Sequence, residues 1–171
     1  MPIRKIVTYG NPVLHHAASL ILNIDQEIID LAHDMVLTMH AAPGIGLAAP
    51  QVAAGKRLIT VDLSVGEKPG ELIVLINPEI VESEGEIIAE EGCLSVPGVH
   101  ENVRRPTHVV VKGTDLEGKE RTFDAEGTKA RVFCHELDHI EGRLFIEHLS
   151  PLKKALVKKK LKKAKQSGGG E

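Results

Sequence analysis

The stretch that most restricts how this chain can fold is His135-Glu136-Leu137-Asp138-His139. Wound as an α-helix, it puts two imidazoles on one face, with Glu136 one position round from the first. Two neutral imidazoles so placed can share a divalent cation, and a neighbouring carboxylate can carry a proton for water at that cation. Two ligands do not complete a catalytic site, which needs a third protein donor and one position open to solvent. The chain must therefore bring a distant residue onto this helix face. Around the same helix Ala130, Phe133, Leu137 and Ile140 form one apolar stripe, nearly opposite His135, His139, Val132 and Glu136. The spacing predicts a helix from just after Gly127 to about Ile140, buried on both faces and stopped by Gly142. Cys134 falls roughly 120° round from the mean direction of the two rings, towards the core, and is a poor ligand.

Three residues compete for the third position. Glu147 and His148 follow the helix as they would in a general zinc hydrolase, whereas a metzincin would carry His at 145, where this chain has Phe145. Cys93 is the more persuasive donor, because it sits in a glycine-flanked turn, Glu90-Glu91-Gly92-Cys93-Leu94-Ser95. With only two cysteines a disulfide framework is excluded.

The rest of the chain reads as one domain, residues 1–150, followed by a basic helix and disordered end, 151–171. The opening to about Asn23 is irregular, with His15 and His16 at the surface. Asn23 with Gln26 signals a cap for a helix over roughly residues 25–41, whose stripe is Ile28, Leu31, Ala32, Met35 and Met39. Pro43-Gly44 ends it. Short strands are expected over 58–63, 72–76, 80–88, 107–112 and 119–123, with a surface hairpin loop over 65–70. Gly44-Ile45-Gly46-Leu47-Ala48-Ala49-Pro50-Gln51 lacks the Gly-Lys-Ser/Thr ending of a phosphate loop, and its small residues admit close backbone approach.

Three segments, Gly44 to Gln51, Glu91-Gly92-Cys93-Leu94-Ser95 and His135 to His139, closely resemble the signature segments of peptide deformylase, in the same order and with similar separations. The resemblance extends to Asn11-Pro12-Val13-Leu14, Arg105, Gly142-x-Leu144-Phe145 and Leu149-Ser150-Pro151-Leu152, and so covers nearly the whole chain. It implies an α+β fold, with mostly antiparallel sheets packed around a central metal-binding helix, an N-terminal helix and a C-terminal helix. It further implies that Cys93, His135 and His139 hold one divalent metal, Fe2+ by family behaviour, replaceable by Zn2+ or Ni2+. Glu136 would take a proton from water attacking the formyl carbon of an N-formylmethionyl nascent peptide, then pass one to the departing amine. The Gln51 amide and the Leu94 N–H would receive the developing negative charge, while Gly44, Ile45 and Gly46 line the cleft. Ile45 and Val132 are candidates for an apolar methionine pocket, with a purely core role as the alternative for Val132. Three positions depart from the family pattern: Cys134 stands in place of a glutamine, Pro43 in place of an acidic residue that could partner Arg105, and His100 in place of an arginine. Asp138 is read either as support for the ligands or as one half of a structural ion pair.

Composition bounds the partners. The net charge is −3, yet residues 153–171 carry eight lysines against one glutamate, so the body is acidic and the tail basic. An acidic body argues against a DNA-binding surface, and a chain without Trp has few base-stacking platforms. Ser150-Pro151 caps a helix through about Lys165, with Leu152, Leu156 and Leu161 inward. The resemblance makes the ribosome a partner for its lysines. No apolar run reaches membrane-spanning length, and the start lacks a secretory h-region, so a cytoplasmic enzyme is expected. A zinc endopeptidase and a non-catalytic structural metal module are the alternatives.

Overall fold

The computed structural model describes residues 2–167. Helix α1, Gln26–Ala41, begins later than the Asn23 signal suggested, because Asp25 is the cap: its carboxylate accepts from the Ile28 N–H at 3.0 Å. The stripe Ile28, Leu31, Ala32, Met35 and Met39 is buried as expected, against Leu47, Leu58 and Ile76. Strands β1 (Gly46–Ala48), β2 (Leu58–Val61), β3 (Ile73–Glu84), β6 (His108–Thr114) and β7 (Glu120–Glu126) form one antiparallel sheet in the order β1-β2-β3-β6-β7. Strands β4 (Ile87–Cys93) and β5 (Val96–Arg105) form a separate two-stranded ribbon. The fold is α+β.

The strands expected over 72–76 and 80–88 are not the observed ones. The chain runs unbroken through Asn77-Pro78 as β3, with register shifts against β6 on either side of Glu79 and Ile80. Asn77 adopts φ +51°, and its amide exchanges two 2.9 Å hydrogen bonds with the backbone of Ile21, which hold the irregular N-terminal segment to the sheet. The break comes instead at Gly85, φ +75°, so Ile87 and Ile88 belong to the ribbon.

Helix α2, Thr128–Ile140, lies across the five-stranded sheet. Ala130, Phe133, Cys134 and Ile140 pack with Ile59, Val61, Leu75, Val109 and Val111, which fixes the rotation of the helix and turns the two histidines away from this core. At Gly142 (φ +78°) the chain turns past His16, whose backbone carbon would stand 2.6 Å from a Cβ there. Helix α3, Pro151–Ser167, is capped by Ser150, whose Oγ accepts from the Lys153 N–H at 3.3 Å. Its inward residues are Val157 and Leu161, which join Val96, Val99, Val103 and Phe145, whereas Leu152 and Leu156 are 72% and 59% exposed, against expectation. Ser167 is helical rather than disordered, and the rest of the expected disordered end, 168–171, lies outside the described residues. Among the described residues no helix is long and apolar enough to cross a membrane.

Candidate metal centre

The last residue of β4 and one face of α2 meet as the sequence requires. Cys93 Sγ is 3.3 Å from His139 Nε2, which is 3.3 Å from His135 Nε2. The donors of a four-coordinate ion at ordinary Zn–N and Zn–S bond lengths stand about 3.3–3.6 Å apart, so both of these separations match those that a shared cation imposes, and all three atoms lie within 4.8 Å of one another. The set of one thiolate and two imidazoles suits a borderline transition metal and not magnesium or calcium. Of the rival third donors, Glu147 pairs with Lys154 and Lys158, and His148 Nε2 lies 2.7 Å from Asp138; neither joins the triad. Cys134 faces the core, where burial pushes its thiol up to about 11.

The electrostatics favour the same reading. Burial alone would raise the Cys93 thiol, but the charges and hydrogen bonds of His139 and His135 outweigh it and bring the group down to about 5. His135 is pulled down by burial yet held well above its ordinary value by its bonds to Cys93 and Glu91. Glu136 is pushed the other way: its burial, opposed by the two histidines, raises it to about 7, and Glu136 Oε1 has no hydrogen-bond partner. A carboxyl group in that range can both accept and return a proton near neutrality.

Behind the triad runs a buried network centred on Glu91, of which the sequence singles out only Arg105 and Asp138. Glu91 Oε1 accepts from His135 Nδ1 at 3.0 Å, leaving Nε2 free to face the cation. The same carboxylate takes both arms of Arg105, at 2.8 and 3.0 Å, and Arg131 Nη1 at 2.5 Å. Arg105 also bonds Asp138 at 2.8 Å, and Asp138 receives His148, so Asp138 is in a structural ion pair. Arg105 therefore has its acidic partners in Glu91 and Asp138, and Pro43 deprives it of nothing. Gln51 Oε1 is tied to the Ala48 N–H at 3.0 Å, which aims Nε2 at Ser95 Oγ (3.2 Å) and Cys93 Sγ (3.5 Å).

A cleft of about 840 Å3 opens over the triad. Gly44, Ile45, Gly46 and Gln51 line it on one side, Cys93 and Leu94 on another, and Val132, His135 and Glu136 form its floor. Val132 faces both ways, since it also belongs to the core beneath the sheet. Pro43 and His100, two of the departures noted above, lie on its rim. A Cβ on Gly46 would sit 2.5 Å from Glu136 Oε2 and 2.8 Å from Val132 Cγ1, so no side chain fits at this position beside the carboxylate.

Comparison with known proteins agrees with the geometry. A family model described as polypeptide deformylase matches residues 3–155. A peptide deformylase of Thermodesulfovibrio yellowstonii is 50% identical over 165 residues, 96% of this chain and 100% of the relative. One from Syntrophobacter fumaroxidans is 49% identical, over 95% of this chain and 96% of its own. A crystal structure of a peptide deformylase from Legionella pneumophila superposes with a TM-score of 0.91 at 42% identity, covering 99% of both chains. One from Ehrlichia chaffeensis in complex with actinonin gives 0.87 at 35% identity, over 95% of this chain and 98% of that one.

Proposed function

This chain belongs to the peptide deformylase family, and from that premise we propose how its residues divide the work. The enzyme is a metal-dependent hydrolase that removes the N-formyl group from the N-terminal methionine of newly made proteins and releases formate. The endopeptidase and structural-module alternatives draw no support from these relatives. Cys93, His135 and His139 hold one divalent ion, with Fe2+ as the physiological choice and Zn2+ or Ni2+ as replacements. When bound, the ion supplies a Lewis acid that polarises the formyl carbonyl and makes water a stronger acid.

Everything else is done by the chain. Glu136 takes a proton from the attacking water at its carboxylate and delivers it to the amine nitrogen as the C–N bond breaks. Its raised affinity for protons suits both halves of that transfer. Gln51 Nε2, held by the bond from Ala48 to Oε1, and the Leu94 N–H donate to the oxygen on which charge develops. Gly44, Ile45 and Gly46 offer the free edge of β1, along which the peptide lies as an added strand. The closeness of Gly46 to Glu136 leaves room for a formyl hydrogen and little more, while Ile45 and Val132 supply apolar surface for the methionine side chain.

The observation that carries this reading is the convergence of Cys93, His135 and His139 to 3.3 Å spacings beside a buried Glu136. Glu136→Gln tests it: formate release from formyl-Met peptides should fall by about 10²–10⁴-fold with one metal per chain retained. Turnover near the parent rate would remove Glu136 from its role. Metal analysis after anaerobic purification tests iron against zinc and nickel.

Residues 1–150 form the catalytic domain and 151–171 the basic helix and end, in a cytoplasmic protein. The lysines of α3 dock on the ribosome. Lys159 and Lys162 are exposed while Leu161 between them is buried, so Lys159→Gln with Lys162→Gln removes charge and spares packing. Ribosome affinity should fall and lose part of its salt dependence, with turnover of small formyl peptides unchanged. Unaltered affinity refutes the docking.

A further inference from the structure

The cleft has two walls that belong to different bodies. His135, His139, Glu136 and Val132 stand on α2, fastened to the five-stranded sheet, whereas Cys93 and Leu94 stand on or just past the β4–β5 ribbon, which is not part of that sheet. Near Cys93 the ribbon is held by the apolar cluster of Val96, Val99 and Phe145. At the far end β5 is held by Val103 and by Arg105, which bonds Asp138 of α2, but β4 has no such seam: Ile87 and Ile88 are 47% and 56% exposed. What reaches the start of β4 from α2 is Arg131. Its Nη1 donates to Val103 O at 3.0 Å and Ala89 O at 3.4 Å, and its Nη2 donates to Ile87 O at 3.1 Å. One guanidinium thus straddles both strands, its charge balanced by Glu91 and its side chain only 12% exposed.

We infer that Arg131 is a positioning residue: it sets the separation between ribbon and helix, and with it the width of the cleft where the substrate's first side chain lies. The inference rests on the deformylase reading for the identity of that substrate. Arg105 and Arg131 share Glu91 but divide the labour. Arg105 holds both carboxylate oxygens and also Asp138, so Glu91 stays in place on His135 when Arg131 is withdrawn. Among the described residues the carbonyls of Ile87, Ala89 and Val103 meet α2 through Arg131, and Arg105 bonds none of them. Loss of Arg131 therefore falls on the cleft wall, of which Ile87 and Ala89 are part, and not on the triad.

Arg131→Met keeps the length and apolar stem and removes the four polar contacts. In metal-loaded enzyme, KM for a formyl-Met peptide should rise about tenfold with kcat within about threefold, a loss of binding that leaves the reacting atoms in register. Metal per chain should be unchanged, and amides of residues 87–91 should exchange with deuterium about tenfold faster while those of α2 do not. Arg131→Lys, which keeps the charge beside Glu91 but cannot span both strands, should fall between. Unchanged KM and exchange would overturn the inference, as would a fall in kcat in step with metal loss, which would place Arg131 behind the triad instead. If the parent enzyme releases no formate, the deformylase reading fails, while the exchange comparison still decides whether Arg131 braces the ribbon.

Discussion

Adding one methyl group at Gly46 should disable the enzyme without touching a ligand. The new Cβ would lie 2.5 Å from Glu136 Oε2, 3.1 Å from Glu136 Cδ and 2.8 Å from Val132 Cγ1, where ordinary contact begins near 3.4 Å. Neither neighbour can retreat freely, since Glu136 and Val132 are 4% and 6% exposed and both stand on α2. Relief of the overlap takes a displacement of several tenths of an ångström in the carboxylate. Overpacking of this kind costs about 1–3 kcal/mol, a drop of about 2–12 °C in Tm for a chain of this size. The catalytic loss should be larger in proportion, because a shift approaching 1 Å in a proton-transferring group lowers rates by about 10²-fold. Formate release and thermal melting of Gly46→Ala should therefore show kcat/KM down by about two orders of magnitude, metal content intact and a modest loss of stability. Val132→Ala added to Gly46→Ala relieves only one of the two clashes, so it should restore part of the stability and little of the activity. Gly55→Ala, where an added Cβ meets nothing within 4 Å, is the neutral control. A Gly46→Ala enzyme within threefold of the parent would refute the claim that this backbone fixes the position of Glu136.

Three further outcomes follow from the buried charges. Glu91→Gln weakens three partners at once and should lower metal affinity about 10–100-fold, measured by chelator competition. Glu91 is also depressed, from 4.5 to about 2, because its bonds to Arg105 and His135 outweigh its burial. Its contribution to stability is therefore present above about pH 4.5 and lost as pH falls towards 2, so acid unfolding should lose steepness in Glu91→Gln. Thiol alkylation of metal-free protein at pH 7 should label Cys93, brought down to about 5, and spare Cys134, raised to about 11, with added Zn2+ protecting Cys93. Labelling of Cys134 first, or no protection by metal, would contradict the assignment of the two thiols.

Features encoded by short-range period were legible in the sequence. The α1 stripe ending at Met35 and Met39 and the two faces of α2 follow from a repeat of 3.6 residues, and tertiary packing confirmed both. Features decided by a distant partner were not. Asn77-Pro78 reads as a strand breaker, yet the Ile21 backbone satisfies the Asn77 amide and β6 continues alongside, so β3 survives. On α3 two pairs at helical spacing, Leu152/Leu156 and Val157/Leu161, competed for the inward face. Of the three leucines expected inward, Leu161 is, and contact with Val96 and Phe145 selects Val157 beside it rather than Leu152 and Leu156.

Glu91 lies between these cases, and it shows what a local period can still yield. Alternate residues of a strand share a face, so a metal-binding Cys93 places Glu91, two residues before it, on the same side of β4. The helix repeat supplies the facing imidazole. Together they set the His135 ring between the two residues, with Nε2 towards the Cys93 thiolate and Nδ1 on the Glu91 carboxylate at 3.0 Å. A strand of period two meeting a helix of period 3.6 thus delivers a ligand and the group that orients its neighbour from one pentapeptide. The arginines that neutralise Glu91 come from 14 and 40 residues away, a separation for which neither period leaves a trace, and so the charge balance of the site had to be read from the fold.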